Sequence, residues 1–337
     1  MKINHLNKMI MKQILILIVL CGSSLTSLVN AQDPLTIENR TKCKALWINN
    51  SEIVTFQSGK FSLSGIFVKP DTVGTYPVIV FNHGDSRGYV NKTSNDVYWI
   101  IWNRFLELGY AVFSWDTPGA GKSTGEHNWN DSLFTERTEI VLSALEYLKK
   151  RNDVDSNKIG LFGHSQAGYI MPLVISKSDD IAFMINLSGP AMNSIDQGAY
   201  LIRNELLQKG FPTEYANKYA TYYSKCSYAD DYEDYLHNAR LLNEQPYLRD
   251  TLKWAEIISE DKFQPVNNQS LYAPYDLLKK ISIPVLAIFG EKDQNVNASE
   301  DSRLYIEALV DAKNPNFIVL IFPAADHSIC GIYNNQL

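Results

Sequence analysis

Apolar positions along the chain fall into short runs separated by segments of helical period. Ile53 to Gln57 and Phe61 to Val68 read as an antiparallel opening pair. Pro77 to Phe81 is a continuous apolar run, the pattern of a strand covered on both faces. Val97 to Leu108 predicts a helix and Tyr110 to Trp115 the next strand. Glu136 to Lys150 places Ile140, Leu142, Leu145 and Leu148 at helical spacing. Lys158 to Phe162 is again apolar and is followed by a helix-like segment, Tyr169 to Ser176. Ile181 to Leu187 and Pro284 to Phe289 predict further buried strands, and Asn316 to Phe322 the last. Strands alternating with helices predict an α/β fold with a mostly parallel central sheet and helices on both faces.

The pattern changes between Gly189 and Ser282, where 11 of the 19 tyrosines lie. Tyr215, Tyr219 and Tyr222 fall at helical spacing, as do Tyr228, Tyr232 and Tyr235. This predicts a helical cap at about 190–280, inserted after the sixth strand of a single domain spanning 32–337. Most of these rings are expected to pack cap helices onto one another and onto the core, since aromatic stripes bury area. The remainder are available to line a pocket for an apolar or aromatic substrate group.

The first residues stand outside this pattern. Lys2, Lys8 and Lys12 precede an apolar run from Ile14 to Leu20, and Val29-Asn30-Ala31 places small residues where a signal peptidase reads them. Residues 1–31 are therefore expected to be a secretory signal peptide cut after Ala31, which places the protein outside the cell or in the periplasm. The apolar run is too short to span a bilayer, so no stable membrane span is expected after cleavage. Lipid attachment at Cys21 is disfavoured, because Leu20 stands where a lipobox carries Gly, Ala or Ser. Cleavage leaves Cys43, Cys226 and Cys330, an odd number that implies no complete disulfide framework and leaves any single pairing open. None shows metal-ligand spacing. At 337 residues the chain is long enough for one large domain, and a formal charge of −6 without a basic stripe argues against nucleic acid as a partner.

Candidate chemistry centres on Gly163-His164-Ser165-Gln166-Ala167-Gly168. A serine among small residues between a strand and a helix is the pattern of a nucleophile elbow. The strict form, G-x-S-x-G, is altered here: Ala167 takes the second glycine position, with Gly168 one place later. A serine hydroxyl needs a base. His5 lies in the leader, His127 and His237 in polar stretches, and His83 and His164 within backbone motifs. His327 remains, in the loop after the last strand. Asp293, in Gly290-Glu291-Lys292-Asp293 after the preceding strand, is the acid expected to orient it, with Glu291 and Asp326 as rivals. Oxyanion donors are expected from the backbone N–H of Gln166 and, in the loop Phe81-Asn82-His83-Gly84-Asp85-Ser86, from that of Asp85. Asp116-Thr117-Pro118-Gly119-Ala120-Gly121-Lys122-Ser123 ends like a phosphate-binding loop, but Asp116 replaces the required first glycine, so nucleotide binding is rejected.

The His-Gly loop at 83–84, the Asp116 to Ser123 turn, the serine elbow, Gly290 to Asp293 and His327, in the order Ser165, Asp293, His327, together resemble the α/β-hydrolase superfamily over nearly the whole mature chain. In character the chain is similar to the dienelactone hydrolase and prolyl-oligopeptidase-like esterase branch. The resemblance implies an α/β-hydrolase fold, a small-molecule acyl ester as substrate, carboxylic ester hydrolysis through an acyl-enzyme, and no metal or organic cofactor. It leaves open amide or peptide hydrolysis, acyl transfer, and a non-catalytic binding module. Ten residues follow His327, so the helix that many relatives carry there is expected to be short or missing, and the oligomeric state stays open.

Overall fold

The computed structural model describes residues 50–70, 73–84, 96–127, 133–243 and 257–329. The leader, Cys43, Asp85 and Cys330 lie outside the described residues.

Eight strands form one sheet in the order β1-β2-β4-β3-β5-β6-β7-β8. They are β1 (Ser51–Ser58), β2 (Phe61–Val68), β3 (Tyr76–Asn82), β4 (Ala111–Trp115), β5 (Val154–His164), β6 (Ile181–Leu187), β7 (Val285–Gly290) and β8 (Phe317–Phe322). β1 pairs antiparallel with β2, and β2 with β4; every other pairing is parallel. Helices α1 (Asp96–Glu107), α2 (Leu133–Lys149), α3 (Ala167–Lys177) and α9 (Ala298–Asp311) make the crossovers. This is the mostly parallel, helix-covered sheet that the alternation of elements predicts. Boundaries moved at β5, which begins four residues before the apolar run. Its first residues, with Asp155 to Lys158 partly or fully exposed, extend past the core, and Val154 pairs with Tyr76.

Side-chain alternation along each strand divides the core into two layers. Val78 and Val80 of β3, Leu161 of β5, Met184 of β6 and Ala287 of β7 face α2, α3 and α9. Ile79, Phe81, Phe162, Ile185 and Ile288 face the other way, against Trp102 and Phe105 of α1. Continuous apolar runs are what strands covered on both faces require.

Between β6 and β7 lie α4 (Ser194–Gln208), α5 (Thr213–Ser227), α6 (Tyr232–Asn243), a 3-10 turn (Glu260–Lys262), α7 (Asn268–Leu271) and α8 (Pro274–Leu278). This insertion has its own small core of Ile202, Leu206, Ala216, Tyr219 and Leu242, onto which Tyr215, Tyr222 and Tyr223 pack. Tyr232 and Tyr235 stack on one another and against Phe263. The tyrosine stripes thus hold the insertion together.

The chain runs from β3 to β4 on one side and then returns to place β5 on the other side of β3. Such a reversal opens a crevice beyond the carboxyl ends of the two strands. His83 and Gly84 follow β3 at that edge, and Ser165 follows β5.

Candidate active site

Ser165 has φ of 56°, a left-handed conformation that non-glycine residues rarely adopt. The turn is pinned on both sides. Ser165 N–H donates to the Leu187 carbonyl at 2.9 Å, and Gly168 N–H to the Ser165 carbonyl at 2.8 Å. The altered motif has a steric explanation. A Cβ at Gly163 would come within 2.5 Å of Met171 Cε, and one at Gly168 within 2.7 Å of Gly189 Cα. Position 167 carries its methyl fully buried. The close backbone approach falls at Gly168, where α3 packs on the turn after β6. A strained serine at the start of a helix, held by its surroundings, is the geometry of a presented nucleophile.

His327 Nδ1–H donates to Asp293 Oδ2 at 2.8 Å. Asp293 is buried, and its other oxygen, Oδ1, accepts from the N–H groups of Asn295 and Val296 at 2.8 and 2.9 Å. The carboxylate is therefore fixed in orientation. Donation from Nδ1 leaves His327 Nε2 with its lone pair, the tautomer a general base needs. The rival acids are engaged elsewhere. Exposed Glu291 accepts from Ala324 N–H at 2.9 Å, and Asp326 accepts from Ser328 N–H at 3.0 Å.

His164 links elbow and base. Its Nε2 lies 3.2 Å from the His327 carbonyl and its Nδ1 2.7 Å from Tyr98 Oη. A carbonyl only accepts, so Nε2 carries the hydrogen and the Tyr98 hydroxyl donates to Nδ1. The rings of His164 and His327 sit 4.8 Å apart. Burial, and then the neighbouring His327, push the His164 pKa down to about 4, so the ring is neutral at ordinary pH.

His83, in the loop after β3, donates Nδ1–H to the Gly84 carbonyl at 2.9 Å. Burial, and then Arg137, lower its pKa to about 3. Gly84 comes so close to the nucleophile that a Cβ there would lie 3.0 Å from Ser165 Cβ. Arg137 of α2 donates to the His83 carbonyl at 2.6 Å and to Gln166 Oε1 at 2.5 Å, with a longer bond to the Gly84 carbonyl at 3.4 Å. The oxyanion donor expected at Asp85 falls outside the described residues; the second, Gln166, follows Ser165 in the turn. A cavity of about 20 Å³, room for about one water, lies against His83, Trp115, Thr117, His127, Arg137 and Gln166. His127, which the sequence marks as an ordinary polar-loop residue, thus belongs to this neighbourhood. Nothing in its sequence context signals that placement, and the same holds for Arg137, one charge on an amphipathic helix.

The insertion reaches the acid loop from outside. Tyr200 of α4 donates its hydroxyl to the Asp293 carbonyl at 2.8 Å, and Asn204 Nδ2 donates to Gln294 O at 3.1 Å. Gln197 Nε2 donates to Asn295 O. The Asp116 turn is ordered without a phosphate nest: Asp116 Oδ2 accepts from Lys122 N–H at 3.2 Å, and the Asp116 carbonyl accepts from Ser123 Oγ at 2.6 Å. Among the described residues no group of three or more His, Cys, Asp or Glu is arranged to hold a metal ion, and no helix is long and apolar enough to cross a membrane. Cys226 is half-buried on α5, and burial pushes its thiol up to about 11.

The family model described as alpha/beta hydrolase fold matches residues 77–331. Human dipeptidyl peptidase 8 is 27% identical over 146 residues, a stretch covering 41% of this chain and 16% of the peptidase, well under two thirds of that relative's length. Among solved structures, the Pyrococcus furiosus esterase Pf2001 is similar at a TM-score of 0.53 and 18% identity, over 82% of this chain and 83% of the esterase. Est1E from Butyrivibrio proteoclasticus, solved with ferulic acid bound, is similar at a TM-score of 0.50 and 17% identity, over 83% of this chain and 92% of that one. At these identities the structural likenesses speak for the fold alone. With a family model covering most of its length and the sheet described above, the chain belongs to the α/β-hydrolase superfamily and is an enzyme of the hydrolase class.

Proposed function

We propose that the protein is a serine hydrolase that cleaves carboxylic esters of small molecules through Ser165, His327 and Asp293. The observation that carries the reading is the buried Asp293 holding His327 by Nδ1 beside an elbow that strains Ser165 into the left-handed region. In the first half-reaction Ser165 Oγ adds to the acyl carbon while its proton passes to His327 Nε2. The carbonyl oxygen becomes an oxyanion, held by the N–H groups of Gln166 and Asp85. Collapse breaks the ester C–O bond, and the leaving alkoxide takes the proton from His327. Water then attacks the acyl-enzyme by the same route, giving its proton to His327, which returns it to Ser165 as the acid departs. Asp293 orients the ring throughout and stabilises the imidazolium. None of these steps calls for a cofactor.

The test is an ester panel of varied acyl length run beside Ser165→Ala. Turnover by the wild type and its loss in the variant are expected; an undiminished rate in Ser165→Ala would refute the assignment. The stretch shared with a dipeptidyl peptidase favours a second reading, amide or peptide cleavage by the same residues. Aminoacyl anilides run against p-nitrophenyl esters of matching acyl group separate the two. We place the protein outside the cell or in the periplasm on the strength of its leader; mass spectrometry of the secreted chain beginning at Gln32 would support that.

A further inference from the structure

The guanidinium of Arg137 bridges two loops that converge on the nucleophile from different strands. One loop follows β3 and presents the carbonyls of His83 and Gly84; the other follows β5 and presents the side-chain oxygen of Gln166. We propose that Arg137 is a positioning residue that shapes the oxyanion site, by locking the His83 and Gly84 carbonyls of one loop and the Gln166 side chain of the other into one rigid frame. This inference rests on the serine hydrolase reading above and deepens it.

Three physical points support it. The first is geometric. The main chain at Gly84, beside the nucleophile, is held through its carbonyl. His83 Nδ1–H and Arg137 converge on that carbonyl from side chain and helix. The second is chemical. Arginine presents several N–H groups in a fixed fork, so one side chain can hold acceptors on separate segments at once, which lysine cannot match. The third is spatial. A Cβ added at Gly84 would lie 3.0 Å from Ser165 Cβ, so displacing this loop by a fraction of an ångström alters the space where charge would develop. Donors work in proportion to how well they are aimed beforehand. Arg137 need not touch substrate to matter.

Arg137→Met and Arg137→Lys, assayed on the best ester from the panel, test the inference. Both are expected to lower kcat by about 10- to 100-fold, short of the loss from deleting a donor outright, with KM changed by less than about threefold, since ground-state binding is not what Arg137 serves. Guanidinium chloride at millimolar concentration, far below denaturing levels, is expected to recover part of the Arg137→Met rate and none of the Arg137→Lys rate, where the ammonium occupies the site. Wild-type kcat in either folded variant overturns the inference. So does a rate loss that tracks lost thermal stability and is not rescued, because that is a purely structural role. If Arg137→Met does not fold, Arg137→Lys decides alone. Failure of the parent reading looks different: the wild type turns over no ester and a fluorophosphonate leaves Ser165 unlabelled, which sinks both proposals. Active wild type, silent Ser165→Ala and undiminished Arg137 variants sink only this one.

Discussion

His164 Nε2 donates to the backbone carbonyl of His327 at 3.2 Å, so the residue before the proposed nucleophile holds the main chain of the proposed base. His164 ends β5 and His327 lies in the loop after β8, and these two strands are not neighbours in the sheet. Their relative position is therefore not set by strand pairing and falls to contacts such as this one. Tyr98 completes the chain by donating to His164 Nδ1, which keeps that nitrogen free of hydrogen and so keeps the hydrogen on Nε2. His164→Phe retains ring volume and stacking but leaves the carbonyl without this donor. It is expected to lower kcat by about 10-fold, in line with roughly 1 to 1.5 kcal/mol for one buried hydrogen bond. Tyr98→Phe should cost less. Since Tyr98 acts through His164, the double variant should be no worse than His164→Phe alone, a non-additivity that steady-state kinetics on all four proteins would detect.

The choice among three neighbouring acids makes a sharper prediction. Asp293 bonds the His327 ring, and its second oxygen is already tied to the backbone of its own turn. Asp293→Asn is expected to lower kcat by about 10⁴-fold, because an amide facing Nδ1 favours the wrong tautomer. Glu291→Gln is expected to change it by less than about twofold, since Glu291 is exposed, accepting from Ala324 N–H and pairing with Lys292, and surface ion pairs contribute little. Equal losses in both variants would contradict the proposed role of Asp293.

Most of the fold was legible in the sequence, because it rests on local pattern, and the order of the three proposed site residues was read from local pattern too. Apolar runs such as Pro77 to Phe81 and the small residues around Ser165 impose their structure wherever the chain goes. Arg137, His127 and Tyr98 were not legible. Each is set beside residues far away in sequence, and an arginine on a helix face or a histidine in a polar loop has no pattern that separates such placement from solvation. The altered elbow lies between these cases. Ala167 was visible as a departure, but its harmlessness depends on Gly189, which only the packing of α3 on the turn after β6 brings alongside Gly168.

That packing predicts opposite outcomes at adjacent positions. Ala167→Gly restores the strict motif and removes one buried methyl, so activity should stay near wild type with a stability loss of about 1 kcal/mol from the small cavity and the added backbone freedom. Gly168→Ala drives a methyl to within 2.7 Å of backbone that cannot rotate aside. It should destabilise by about 1 to 3 kcal/mol, as overpacking does, and displace the elbow, lowering kcat as well. Thermal unfolding and ester turnover measured together check both. A Gly168→Ala variant as stable and active as the wild type would mean that α3 does not pack on Gly189 this tightly.

Among the described residues, three buried titratable groups bear on the dependence of stability on pH between about 4 and 6.5. Burial, and then a nearby cation or histidine, lowers His83 to about 3 and His164 to about 4 from an ordinary value of 6.5. Between about 4 and 6.5 the unfolded chain therefore binds protons at these two sites that the native state refuses, and stability falls on acidification. Asp301 opposes them. On α9 it accepts from the N–H groups of Ala191 and Met192 through Oδ1, while Oδ2 is buried without a hydrogen-bond partner. Burial raises its pKa to about 7 from 3.8. Across the same window the native state holds a proton on Asp301 that the unfolded chain has lost, which adds stability at low pH and withdraws it as pH rises towards 7. The three together leave a net uptake of one proton on unfolding, a slope of about 1.4 kcal/mol per pH unit. Asp301→Asn keeps an oxygen for the two N–H groups but removes the opposing titration, so the slope should steepen to about 2.7 kcal/mol per pH unit. Urea unfolding at several pH values between 4.5 and 6 reads both slopes. A slope in Asp301→Asn equal to the wild type's would show that this carboxyl is ionised in the folded protein.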